Sequence, residues 1–123
     1  MTGMTLQWNR CEGNSWCALY ALNLGDEHFD FIAGVYVIWH GGDEPKVLRV
    51  GQGHIKDRLH EHKWEDDLIE LRDQGETVFV TWAGMDADKR DPVERFLIDV
   101  LQPSGGRPGP MTRPLPVNLP WQG

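Results

Sequence analysis

Strand signals dominate the middle of the chain. Residues 34–39 (GVYVIW) and 46–51 (KVLRVG) are runs of β-branched and aromatic side chains separated by the turn-forming stretch 41–45 (GGDEP), a pattern that predicts an antiparallel hairpin. A third run, residues 77–82 (TVFVTW), has the same character and makes a sheet of at least three strands. In the first run Val35, Val37 and Trp39 alternate with Tyr36 and Ile38, so both faces are apolar and this strand belongs in the sheet's interior. The N-terminal stretch 16–24 (WCALYALNL) is read as a further strand, although its periodicity fits a short helix equally well.

Two helical patterns follow. Ile55 and Leu59 share one helix face, whereas Trp64, Leu68 and Leu71 point to the opposite side at about 100° per residue, so a break is expected near Trp64. Later, Asp91 as N-cap and Pro92 as the first helical residue precede Val93, Phe96, Leu97, Val100 and Leu101 at i, i+3, i+4 spacing. That helix should pack on the sheet. Residues 103–123, rich in Pro and Gly, read as an extended tail. The expected fold is an α/β domain of the α+β kind spanning residues 1–123, a small, mainly antiparallel sheet of three to four strands flanked by helices.

The length, 123 residues, fits one domain that buries about two-thirds of its unfolded surface. Cys11 and Cys17 are too few for a disulfide scaffold or a four-ligand zinc site, which makes a reducing compartment the default expectation and the cytoplasm the expected location. No apolar run approaches the ~20 residues of a membrane span, and a basic-then-apolar leader is not expected. A formal charge of −7 argues against coating nucleic acid by bulk charge, so any polyanion site must be local. One local concentration exists: Lys46, Arg49, Lys56, Arg58 and Lys63 lie together with His54, His60 and His62.

Within that window, residues 49–58 (RVGQGHIKDR) read as a strand passing through a glycine turn into a helix. Free backbone N–H groups at the helix start, with Gly51 and Gly53 permitting close approach and Lys56 in the first turn, would suit a phosphate. Arg58 and His62, four residues apart, fall on one helix face beside the Ile55/Leu59 stripe.

These motifs resemble the GIY-YIG nuclease superfamily. Gly34-Val35-Tyr36 is similar to its first motif and Arg49-Val50-Gly51 to its second, with Arg49 where a tyrosine is usual and a slightly longer gap between the two. Arg58 with His62 one turn later resembles the family's arginine and histidine, Glu94 its metal-binding glutamate, and Asn118 its C-terminal asparagine. The likeness covers residues 34–118, with the motif-bearing core at 34–102.

The resemblance implies a metal-dependent endonuclease that hydrolyses DNA phosphodiesters. Such a hydrolase must neutralise developing charge, activate an oxygen and release the leaving group. Glu94 would hold one Mg²⁺ (or Mn²⁺), a hard ion that commonly takes one or two carboxylates plus phosphate oxygens. Tyr36 would be the general base, its pKa of ~10 lowered by positive charge from the metal, Arg58 or Arg49. Arg58 would contact the scissile phosphate, His62 would orient that phosphate or assist proton transfer, and Gly34 and Asn118 would support the site. Arg49 either adds charge stabilisation or marks a catalytically silent GIY-YIG-like module that binds nucleic acid or protein. A domain this small would bind DNA weakly alone, which predicts a homodimer, a partner protein or poor sequence specificity.

Each residue has a plainer rival role. Tyr36 could be a core aromatic with a satisfied hydroxyl. Glu94, three residues after Asp91, could complete a capping box. Arg58 and His62 could be partly solvated helix residues, and Asn118 a turn residue. Of the six tryptophans, Trp39 and Trp82 are expected in the core, with Trp64 and Trp121 exposed and available to stack on bases.

Overall fold

A computed structural model describes residues 4–41 and 45–122. The described residues form a small α+β fold: a four-stranded, wholly antiparallel sheet with three α-helices. The strands are β1 (Cys17–Ala18), β2 (Ala33–His40), β3 (Lys46–His54) and β4 (Val78–Gly84), and their order across the sheet is β1-β4-β2-β3. The helices are α1 (Ile55–His62), α2 (Asp66–Asp73) and α3 (Ala87–Leu101). The expected β2–β3 hairpin is present with β2 inside the sheet, and its turn residues 42–44 lie outside the described residues.

Alternation along β2 explains why both sheet faces are covered. Tyr36 and Ile38 face a cluster built from Ile55 and Leu59 of α1 and Leu68 of α2, while Val35, Val37 and Trp39 face Val93 and Leu97 of α3. The α1–α2 break falls at Lys63–Glu65, as the switch of apolar face at Trp64 requires. Trp39 and Trp82 are buried, and Trp64 and Trp121 are exposed. Among the described residues no helix is long and apolar enough to cross a membrane.

Four local expectations are corrected. The stretch 16–24 supplies only the two-residue β1, after which Leu19–Ala21 close into a 3-10 turn. Helix α3 starts at Ala87, with Asp86 rather than Asp91 as N-cap, so Pro92 sits inside it. The carbonyl that loses its amide partner there is that of Asp88, in the exposed first turn where water can serve it, which makes this proline tolerable. Cys11 and Cys17 form a disulfide, because the turn at Glu12–Asn14 brings their Cα atoms to 5.1 Å. Their number therefore no longer argues for a reducing compartment.

The fourth correction bears directly on the site. Instead of ending in a glycine turn, β3 continues to His54, with Gly51 opposite Tyr36 and Gly53 opposite Gly34. Ile55 N–H, the first donor of α1, is spent on the Ile32 carbonyl at 3.0 Å. That donor is therefore not free for the expected phosphate cradle.

The chain ends close the molecule. Met4 and Val117 pair in a parallel bridge, and the tail lies along the free edge of β3, where Ser104 and Gly105 N–H donate to the Val47 and Leu48 carbonyls. An otherwise unpaired strand edge is thereby covered.

Candidate active site

A cleft of about 650 Å³ opens at the β3 edge of the sheet. Elements from both faces meet there: α1 brings Arg58, Glu61 and His62, α3 brings Glu94, and residues 106–110 of the tail form the opposing wall. Tyr36, Arg49 and Gly51 reach the cleft from the sheet. The structure thus brings Tyr36, Arg49, Gly51, Arg58, His62 and Glu94 together, residues separated by up to 58 positions (94 − 36) in sequence.

Tyr36 is nearly inaccessible as a residue, yet its hydroxyl reaches the cleft and lies 2.6 Å from His62 Nε2. A glycine is required opposite it, because a Cβ at position 51 would fall on the Tyr36 hydroxyl and ring. Burial pushes the Tyr36 pKa up to about 12, against the opposing pull of Arg58, with Glu94 and Glu65 adding to the rise. This reverses the lowering expected from nearby positive charge.

His62 is buried and bonds on both sides of its ring, with Nδ1 2.6 Å from Glu65 Oε1. Its pKa is lowered from 6.5, chiefly by burial, and Glu65 only partly opposes this. The imidazole is therefore neutral at pH 7. A carboxylate can only accept, so Nδ1 carries the hydrogen, Nε2 is the bare acceptor, and the Tyr36 O–H donates to it.

Arg49 does not project free charge into the cleft. Its Nε donates to Glu65 Oε1 at 3.0 Å, Nη1 to the Leu48 carbonyl at 2.8 Å, and Nη2 to both Asp67 carboxylate oxygens at 2.8 and 2.9 Å. The guanidinium expected to stabilise charge is thus already paired with two acidic partners.

Arg58 lines the cleft. Nη1 bonds both Glu61 carboxylate oxygens at 3.1 and 3.2 Å, an exposed i, i+3 pair worth little in stability, while Nε is buried without a partner among the described residues. A buried unpaired donor costs roughly 1–3 kcal/mol, so its retention in a cleft calls for an explanation.

Glu94 is not part of a capping box. Its Oε1 accepts from Gln52 Nε2 at 2.8 Å, and the same amide nitrogen also bonds Asp91. Burial raises the Glu94 pKa, the Gln52 bond opposes, and Asp91 adds to the rise. Two carboxylates sharing one neutral donor are under-neutralised, which suits a hard cation with oxygen ligands. Among the described residues no three His, Cys, Asp or Glu side chains gather into a ready-made metal nest, so Glu94 and Asp91 are the residues that could hold one.

The remaining expected site residues lie elsewhere. Asn118 accepts from Leu6 N–H at 2.6 Å and donates to the Leu6 carbonyl at 3.0 Å, fastening the N-terminal segment and not the cleft. Gly34 is a ladder residue between Gly53 and Gly84, and Gly53 and Lys56 do not line the cleft.

Four residues escaped sequence reading: Gln52, Glu65, Asp67 and Arg107. Glu65 ends the helix break that apolar periodicity locates and Asp67 lies in the first turn of α2, while Arg107 is one of the two charges, with Arg113, in the acid-free tail. Arg107 is exposed on the cleft wall, without an ion-pair partner among the described residues. Comparison with protein-family models, with curated proteins and with solved structures finds no match in any of the three.

Proposed function

We propose that this chain is a metal-dependent endonuclease of the GIY-YIG kind, hydrolysing DNA phosphodiesters in the β3-edge cleft. The observation that carries the reading is the convergence of Tyr36, Arg58, His62 and Glu94 on one cleft, from two strand and helix layers. Tyr36 acts as general base towards water, handing its own proton to the bare Nε2 of His62. Arg58 contacts the scissile phosphate through its cleft-lining guanidinium, and Arg107 a neighbouring phosphate. Glu94 and Asp91 would hold Mg²⁺ or Mn²⁺, which when bound supplies Lewis-acid neutralisation of charge on the phosphate. The cleft closes round only a few phosphates, so binding is weak unless a second copy or another protein adds contacts.

A second reading is favoured by the state of Arg49. Locked between Glu65 and Asp67, it lends nothing to a substrate, as in a catalytically silent module that binds nucleic acid or protein.

Supercoiled plasmid separates the two. In Mg²⁺ or Mn²⁺ the wild type should nick DNA, while Arg58→Ala and Glu94→Gln, purified identically, should lose at least about 100-fold. Equal nicking by all three would expose a contaminant, and an inert wild type on plasmid and branched DNA would establish the silent module instead.

A further inference from the structure

Four side chains run in an unbroken series from the cleft into the α1–α2 elbow: Tyr36, His62, Glu65 and Arg49, linked at 2.6, 2.6 and 3.0 Å, with Asp67 closing the far end at 2.8 Å. Glu65 occupies the N-cap position of α2, but its side chain makes no capping bond there. Both nearby donors converge instead on one of its oxygens, Oε1, which accepts from His62 Nδ1 and from Arg49 Nε. One carboxylate oxygen can accept from both, and the half-exposed Asp67 pairs with Arg49 instead. The arrangement fixes one histidine nitrogen and leaves the other for the tyrosine.

We infer that Glu65, clamped by Arg49, is a positioning residue for the Tyr36–His62 pair: it dictates that His62 carries its hydrogen on Nδ1 and so makes Nε2 the acceptor of the Tyr36 proton. This rests on the reading of Tyr36 as the base. The same division of labour, nucleophile-side base oriented by a carboxylate behind it, is the logic of the serine-hydrolase triad.

The proton count closes. Water gives a proton to the Tyr36 oxygen as its own oxygen bonds phosphorus. Tyr36 gives its hydroxyl proton to His62 Nε2. The P–O bond to the leaving group breaks with its electron pair, and that oxygen takes a proton from solvent. His62, briefly an imidazolium beside ionised Glu65, returns its extra proton to solvent. One water is consumed per bond cleaved. The charged groups facing His62 are Glu65, which favours the imidazolium, and Arg49 and Arg58, which oppose it. Without Glu65 both remaining charges are unfavourable, so the carboxylate stabilises the proton-loaded state as well as setting the tautomer.

The same geometry explains Arg49 in a position where the resemblance leads one to expect tyrosine. Its guanidinium does not serve the substrate. It holds the same Glu65 oxygen that His62 bonds, and Asp67 fixes the guanidinium.

The test is made on the full chain with ¹⁵N-labelled histidine, by long-range ¹H–¹⁵N spectra at pH 7.5, beside plasmid nicking. In the wild type His62 should be the Nδ1–H tautomer. Glu65→Leu should populate Nε2–H and lower nicking about 100-fold. Glu65→Gln keeps an accepting oxygen but no charge, so it should keep the Nδ1–H tautomer while lowering the His62 titration midpoint and giving an intermediate nicking rate. If Glu65→Leu does not fold, Glu65→Gln still decides, because a His62 midpoint equal to wild type overturns the inference. A wild-type His62 found as Nε2–H, or nicking undiminished in Glu65→Leu, also overturns it. The expected tautomers in a wild type that never nicks DNA would uphold the positioning role of Glu65 and sink the nuclease reading alone.

Discussion

Burial lowers the His62 pKa below its ordinary 6.5 even though Glu65 pulls the other way. Between that lowered value and 6.5 the unfolded chain binds a proton at His62 that the folded chain does not. Stability contributed here is therefore complete above about pH 6.5 and lost as the pH falls through the window beneath it. Urea midpoints measured from about pH 7.5 down to 5 should decline for the wild type and less steeply for His62→Gln; identical slopes would show that His62 does not set this dependence. Nicking should fail on the same acid side, because a protonated Nε2 cannot accept from Tyr36. Tyr36→Phe removes the donor instead. It should cost about 1 kcal/mol of stability, through the lost hydrogen bond, yet at least about 100-fold in nicking. A variant that nicks at the wild-type rate would remove Tyr36 from the chemistry and leave it a core aromatic.

Element geometry decides which side chains reach the cleft, and β3 carries one irregularity beside it. Ile38 pairs with Arg49 but Trp39 pairs with Val47, so Leu48 is an extra residue, a β-bulge. Arg49 keeps the alternation set by its partner Ile38 and by Gly51 and so faces the α1–α2 side, where Glu65 and Asp67 stand; the bulge puts Leu48 on that same side and returns Val47 to the α3 side. This explains what was legible in the sequence. Period-2 and period-3.6 patterns located β2, β4, the helix break and the two apolar faces, and ordered motifs picked out Tyr36, Arg58, His62 and Glu94. Nothing in the residues announced a bulge, a proline five places inside α3, or a strand running on through Gly51 and Gly53, because each is settled by tertiary pairing. Gly34 illustrates the difference. Its resemblance to a motif glycine suggested support for chemistry, whereas a Cβ there would fall on the backbone carbonyl of Ala83 across the ladder. Gly34→Ala must push β2 and β4 apart at backbone atoms that cannot yield as a side chain tip would. A loss of about 3 kcal/mol or more in urea unfolding is expected, and a loss below about 1 kcal/mol would contradict this packing.

For the whole molecule, a net charge of −7 opposes a polyanion at long range, so on the proposed nuclease reading DNA would be held by a few close contacts at the cleft. Arg49 is neutralised by Glu65 and Asp67, Lys56 lies off the cleft, and Arg58 shares its charge with Glu61. Arg107 remains as the exposed cation of the tail wall, held over the site because Ser104 and Gly105 are hydrogen-bonded to β3 and Arg95 of α3 donates to the carbonyls of Pro108 and Pro110. Its position on a fastened strap, opposite Arg58, gives two cationic contacts on two walls. Counterion release then sets the scale: about two phosphates neutralised on duplex DNA correspond to a slope of log K against log salt near −1.8. Arg107→Ala should weaken binding to unrelated sequences about equally and reduce that slope by about 1, leaving tail packing intact because the strap is tied by backbone and by Arg95. Binding isotherms for wild type and variant across salt concentrations, in Ca²⁺ to suppress cleavage, read the difference directly. An unchanged slope would place the DNA away from the tail wall, and a slope far steeper than −2 would require a second copy or another basic surface to share the strand.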